Sequence, residues 1–308
     1  MQINFRLMPV ITLAVFTTFT ACKKESTPST DSTTEMATHA DDQNQVSGQI
    51  DAVANDASLA IESSATFSGR VENPPFSVCD ATVAFDSASS PRKLTITYAG
   101  TSCNGSYKRT GTVVVSMPAG VHWKDQGATI TVTYQNLKVT RLSDNKSVTI
   151  NGSHTITNVS GGLLFNLSNQ QSITHTVGSS GMSITFDDGS QRTWQVATRR
   201  VFTYDNGIVL TITGNYSNGN TEGIAEWGVN RFGHEFMTTI TTPLVIRQDC
   251  AFRLTAGEVK HTGFGTATAT FGLDASGNPT TCPGTGHYYF KLTWTGPNGA
   301  TASATLPY

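Results

Sequence analysis

Along most of this chain apolar and polar residues alternate with a period of two. From about Ala65 to the end, segments rich in Thr, Val, Ile and aromatic residues are separated by Gly, Asn-Gly and Asp-Gly pairs, the pattern of antiparallel strands joined by tight turns. In Gly127–Leu142, Ile130, Val132 and Tyr134 share one face while Thr129, Thr131 and Thr133 take the other. The apolar parity slips at Gln135-Asn136 and continues on Leu137 and Val139, so a bulge is predicted there. After a turn at Ser143-Asp144-Asn145-Lys146, the next strand carries Val148, Ile150, Gly152, His154 and Ile156 on one parity. Trp194, Val196, Thr198, Arg200, Phe202 and Tyr204 likewise share a face, followed by a turn at Asp205-Asn206-Gly207 and then Ile208, Leu210 and Ile212. The expected fold class is all-β, a long antiparallel meander with one greasy and one threonine-covered face. Such a meander must cover its apolar face as a twisted sheet, a sandwich or an open barrel.

The first part of the chain breaks this period. Residues 46–62 place Val46, Ile50, Val53, Ala54 and Ala57 at helical spacing, with Ser47 available as a cap, so one short helical lead-in is predicted. Residues 23–45 hold almost no large apolar side chain and are dominated by Ser, Thr, Asp and Glu; a disordered tether is expected over 22–45. Ahead of it, Arg6 precedes an apolar run from Leu7 to Phe19, too short and too rich in threonine for a membrane span and read as an export signal over 1–21. Phe19-Thr20-Ala21-Cys22 resembles the lipobox of bacterial lipoproteins, although Phe19 stands where leucine is usual. That resemblance implies cleavage before Cys22, a diacylglycerol thioether on its sulfur and acylation of the new amine, a multi-chain anchor of the kind stable attachment needs. The remainder, 63–308, is expected to be one antiparallel β domain or two related halves.

Five cysteines are present. With Cys22 given to lipid, Cys79, Cys103, Cys250 and Cys282 are even in number, and an exported chain meets an oxidising compartment, so two disulfides are expected. Of the three connectivities, the local one, Cys79–Cys103 with Cys250–Cys282, is favoured by a weak internal echo. Cys79–Met117 and Cys250–Thr295 both read as Cys, strand, strand, Cys, turn, strand. The formal charge of −2 gives neither a nucleic-acid footprint nor a polybasic membrane patch. No C-x-x-C or close Cys/His cluster offers a zinc site, and no metal or other cofactor is expected.

The runs at 127–158 (GATITVTYQNLKVTRLSDNKSVTINGSHTITN), 206–219 (NGIVLTITGNYSNG) and 242–259 (TPLVIRQDCAFRLTAGEV) resemble an uncharacterised family of Bacteroidota envelope lipoproteins. The resemblance covers most of 60–299 and implies a β-rich, lipid-anchored protein; its motifs are strand and turn grammar and carry over no catalytic residue. Thr281-Cys282-Pro283-Gly284 departs from the acidic turn of that family.

Candidate chemistry is sparse. His234-Glu235 begins like H-E-x-x-H, but position 238 is Thr and the local pattern is a strand. His122-Trp123-Lys124 and His287-Tyr288 are placed near strand ends, where they could line a ligand site or cover a sheet edge. Asp187-Asp188-Gly189 and Asp205-Asn206-Gly207 offer oxygen ligands for calcium, but both sit where a hairpin turn demands these residues. No catalytic residue is assigned. The sequence therefore points to a non-enzymatic lipoprotein of the cell envelope, at the outer membrane, with a binding or structural role. Its partners would be the membrane, through Cys22, and an unidentified protein, glycan or lipid. The alternatives are a carrier of an apolar ligand in a folded-over sheet and, behind it, a hydrolase.

Overall fold

A computed structural model describes residues 30–70, 77–102, 105–179, 181–250, 252–263, 265–282, 286–296 and 299–307. Among the described residues two helices come first, α1 (Thr30–Ser63) and the single turn α2 (Ala65–Ser68). Fifteen strands follow. They are β1 (Ala81–Asp86), β2 (Arg92–Thr101), β3 (Tyr107–Met117), β4 (Ala128–Arg141), β5 (Ser147–Asn158), β6 (Ile173–Gly178), β7 (Met182–Phe186) and β8 (Gln191–Tyr204). The C-terminal part adds β9 (Ile208–Gly214), β10 (Ile224–Val229), β11 (Glu235–Arg247), β12 (Arg253–Thr262), β13 (Thr266–Leu273), β14 (Tyr289–Thr295) and β15 (Thr301–Pro307).

All fifteen strands join one antiparallel sheet that runs from β1 at one edge to β15 at the other. Two places in the order are shared by a pair of short strands laid end to end. β6 and β7 both lie between β5 and β8, and β9 and β10 both lie between β8 and β11. These breaks continue a line of irregularities across the sheet: register shifts at Thr110/Thr112 in β3, at Tyr134/Leu137 in β4, from Ile240 to Ile246 in β11 and at Thr270/Leu273 in β13. The bulge expected at Gln135-Asn136 is one of them, with Asn136 at φ 50°. Opposite it Gly111 has φ 112°, and a Cβ there would meet the Asn136 carbonyl oxygen at 2.3 Å. Bulges bend strands and increase their twist, so this row forms a crease along which the sheet curls.

The sheet curls around α1. Within residues 39–43, about 6 Å of helix axis, α1 side chains reach Arg141 at the end of β4, Arg192 in β8, Arg231 beyond β10 and His261 in β12. In a flat sheet the strands from β4 to β12 would spread over about 30 Å at ~4.8 Å each, too far for one helical turn to touch. The core fills the space between: Val46, Ile50, Val53, Ala57 and Ile61 from α1 pack against inward residues such as Leu94, Ile96, Val113, Val115, Ile130, Val132, Leu137, Ile150, Ile184 and Trp194.

The apolar spacing of 46–62 is thus seated as expected, but the helix begins at Thr30 rather than Val46. The tether expected over 22–45 is overturned from Thr30 onward. Ser47 is no cap; it lies mid-helix and its hydroxyl donates to Glu226. The physical reason lies in the buried stripe itself. Its first half is His39, Asp42, Gln45 and Gln49, all under 5% exposed, so it enters a protein interior without an apolar signature.

Candidate functional site

Around α1 the sheet presents arginines on the parity otherwise reserved for its core. Arg192 alternates with Trp194, Val196, Thr198 and Phe202 along β8, and Arg92, Arg109 and Arg141 open or close the apolar rows of β2, β3 and β4. These four arginines are 1–7% exposed. A buried charge needs a partner and hydrogen bonds; α1 supplies some to Arg109, Arg141 and Arg192, while Arg92 donates to the carbonyls of Thr66, Pro118 and Val121. Arg141 holds Asp41 through two bonds of 2.6 and 2.8 Å and grips Asp144 with its remaining donors. Arg231 forks onto Asp42 at 2.6 and 2.7 Å and reaches Asp188 at 3.1 Å. Arg200 meets Asp51 at 2.7 Å. Arg192 donates to the Gln43 amide oxygen, and the Gln43 amide donates in turn to Glu226. Burial pushes the Glu226 carboxyl up to about 7 and the Arg192 guanidinium down to about 10.

Further along the helix the seam becomes a closed network. Asp56 accepts from Tyr98 at 2.8 Å and from Arg109 at 3.0 Å, while Arg109 forks onto Asp80 at 2.6 and 2.7 Å and lies over the Tyr98 ring at 4.3 Å. Burial raises the Asp56 carboxyl above its ordinary range, against the pull of Arg109. At the end of α1, Glu62 accepts from the amides of Leu164 and Phe165 at 3.0 and 3.2 Å, capping the 3₁₀ turn Leu164–Asn169. Four imidazoles are enclosed nearby. His39 lies tilted against the Phe236 and His261 rings, which stack on each other, His154 lies against Tyr134, and His175 sits between Trp123 and Phe202. Desolvation drives all four down, His39 to about 2, His154 to about 3, and His175 and His261 to about 4, with arginine charges adding to the effect. All four are held neutral near pH 7.

The residues singled out in the sequence fall elsewhere. Cys22 and Cys103 lie outside the described residues. Cys79 is disulfide-bonded, and Cys250 and Cys282 are bonded to each other with their Cα atoms 5.1 Å apart, as the local pairing requires. Asp249 is close to these two sulfurs, but it pairs with Arg247 at 2.8 Å and the sulfurs are joined to each other, so the group makes no metal site. The Cys–strand–strand–Cys–strand echo corresponds to β1, β2 and β3 near one end of the sheet and β12, β13 and β14 near the other.

His234 pairs with Glu35 of α1 at 2.5 Å and His122 with Asp125 at 3.6 Å, both histidines half-exposed. Trp123 and Tyr288 are fully buried. Asp188 and Asp205 serve their hairpins: Asp188 accepts from Ser190 and Arg231, and Asp205 from Arg247. Each turn closes with a glycine at positive φ, Gly189 and Gly207. No helix among the described residues is long and apolar enough to cross a membrane.

Sequence reasoning missed the seam. Its signal was present as Glu35, His39, Asp42, Gln45 and Gln49, which continue the spacing of Val46, Val53 and Ala57 back through polar residues, and as arginines on core parity in the strands. Comparison of the chain with protein-family models, curated proteins and solved structures finds no match.

Proposed function

We propose that the chain is a non-enzymatic lipoprotein of the bacterial cell envelope, held to a membrane, the outer membrane in our reading, by acyl chains on Cys22, and that its curled sheet is a binding or structural module. The observation that carries this reading is the seating of α1. The first described element after the lipobox is locked into the bore of the sheet by buried or half-buried ion pairs to Arg141, Arg231 and Arg109 and an exposed one to Arg200. Such a helix gives an anchored module a stiff attachment, so that tension on the lipid is borne by charge pairs distributed over the sheet. The same observation favours a module over an apolar carrier, because the face that would hold the ligand is packed with α1 side chains. Buried histidines with depressed basicity and carboxylates committed to arginines support a non-enzymatic role over a hydrolase.

Cell fractionation with mass spectrometry tests the anchor. The parent chain is expected in the membrane fraction with an acylated N-terminal Cys22, and Cys22→Ser in the soluble fraction with no lipid mass. A C22S variant that stays membrane-bound refutes the anchor. Organic extraction of the purified chain tests the module: an equimolar apolar molecule in the extract would restore the carrier.

A further inference from the structure

β15 ends the sheet with one side of its backbone unpaired. It runs against β14 from Tyr289↔Pro307 to Thr295↔Thr301, and among the described residues no other strand pairs with it. Water reaches most of it: five of its seven residues are exposed, and Ala304 and Leu306 are half-buried. Such an edge is a template for a further strand, and chains that keep an edge single place charges or proline along it. β15 has no charged residue, and its one proline, Pro307, stands at its end. The opposite edge differs, since β1 finishes on the exposed charge of Asp86.

The order of residues in β15 selects its partner. Thr301-Ala302-Ser303-Ala304-Thr305 reads the same in both directions. In an antiparallel pair with a copy of itself centred on Ser303, Thr301 faces the partner's Thr305, Ala302 the partner's Ala304, and Ser303 the partner's Ser303. The join then consists of two Thr–Thr pairs, which stabilise antiparallel ladders, around small side chains that let the backbones meet without a clash. No charge opposes a like charge.

The faces match as well. Val259, Ala269, Leu292 and Ala304 form one apolar row across β12 to β15, each half-buried. The neighbouring row, on the other face, is Thr268, Thr293 and Ser303. With a two-fold axis normal to the sheet at the facing serines, the apolar row continues into the partner's Ala302 and the polar row into the partner's Ser303. A slip of one residue would set Ala302 against the partner's Ser303 and turn the partner's faces over.

We propose that β15 pairs antiparallel with β15 of a second copy of this chain, about a two-fold axis at Ser303, joining two sheets into one. The pairing is independent of the anchor and of what the domain binds. Seven residues span about 24 Å, and so short a join falls below the ~800 Å² per partner of a standard interface, so the dimer forms and dissociates with concentration.

The test is sedimentation equilibrium of the full-length chain in a density-matched non-ionic detergent, from about 1 to 300 μM, the span over which small interfaces assemble. A monomer–dimer equilibrium without larger species is expected. Ser303→Lys, an exposed change that sets two ammonium groups against each other on the axis, should weaken it by about fivefold or more, as should Ser303→Glu. An equimolar mixture of S303K and S303E should form the mixed dimer at least as readily as the parent forms its own. Thr82→Lys, an exposed change on the β1 edge, should leave association as in the parent. A parent that stays monomeric throughout, an open-ended series of larger species, a dimer indifferent to S303K, a mixture that does not pair, or association weakened equally by T82K would overturn the proposal. The first outcome would leave the edge to a strand of another protein, and the last would point to head-to-tail pairing of β15 with β1.

Discussion

Arg109 shows what the seam asks of a single residue. Its guanidinium is held by Asp56 and Asp80 and backed by the Tyr98 ring, with side chains of 5, 11 and 0% exposure for Arg109, Asp56 and Asp80. Removing one member leaves the other charges buried without compensation, which typically costs about 3–5 kcal/mol. Arg109→Ala is therefore expected to lose about that much in urea unfolding, whereas replacing Arg109, Asp56 and Asp80 together by apolar residues of similar volume recovers most of it; equal losses in the two variants would disprove the network.

His154 makes the opposite point. Neither ring nitrogen has a hydrogen-bond partner, and burial lowers its pKa to about 3 from 6.5. Between those two values the unfolded chain binds a proton that the folded chain does not, so stability is full above about pH 6.5 and declines as pH falls. At pH 5 the loss from this residue is on the order of 2 kcal/mol. In His154→Phe, denaturant midpoints at pH 7 and pH 5 should converge by that amount; an unchanged difference would mean that the ring is protonated in the fold.

At the scale of elements, the crease depends on close backbone approaches. In Gly111→Ala the new Cβ would meet the Asn136 carbonyl oxygen at 2.3 Å from a backbone at φ 112°, so both contact and conformation oppose it. A loss of about 2–4 kcal/mol is expected, with hydrogen exchange rising first in β3 and β4; exchange that rises uniformly would remove the crease as the cause. This bulge was legible in the sequence because a parity slip needs only local alternation, visible at Gln135-Asn136. The strands of β4, β5 and β8 were legible for the same reason, as were their hairpin turns. The start of α1 was not. Helical periodicity was sought in apolar residues, whereas this stripe runs through Asp42, Gln45 and Gln49, and Asp42 is held by Arg231 from far along the chain. Nor could alternation reveal how the sheet curls, since that follows from irregularities adding up across many strands.

The whole molecule is unevenly supported. From β2 to β8 the inner face is packed against α1, while β12 to β15 are mostly half-exposed or exposed. The Cys250–Cys282 bond ties the turn before β12 to the connection between β13 and β14, across a sequence separation of 32. A loop of that size contributes about 3–4 kcal/mol by restricting the unfolded chain. The Cys250→Ser/Cys282→Ser double variant should therefore unfold with a lower denaturant midpoint, and its added hydrogen exchange should concentrate in β12–β15. A midpoint equal to that of the oxidised parent would show that the bond only decorates an already stable end.

The ion pairs of α1 also set an order of events. Asp41 meets Arg141 100 residues later, and Asp42 meets Arg231 189 residues later. No early segment can supply those guanidiniums, and the first half of the helix has little apolar surface with which to hold itself in place. During refolding α1 must wait while strands zip locally, since each closes on its neighbour over a far shorter span. Pulse-labelled amides of α1 are accordingly expected to gain protection after those of β2–β5; simultaneous protection would contradict this order. A greasy helix left waiting would invite association with other chains. One that shows aspartate and glutamine until the last arginine arrives waits in water without harm, so the polarity that seats it at the end also keeps it single beforehand.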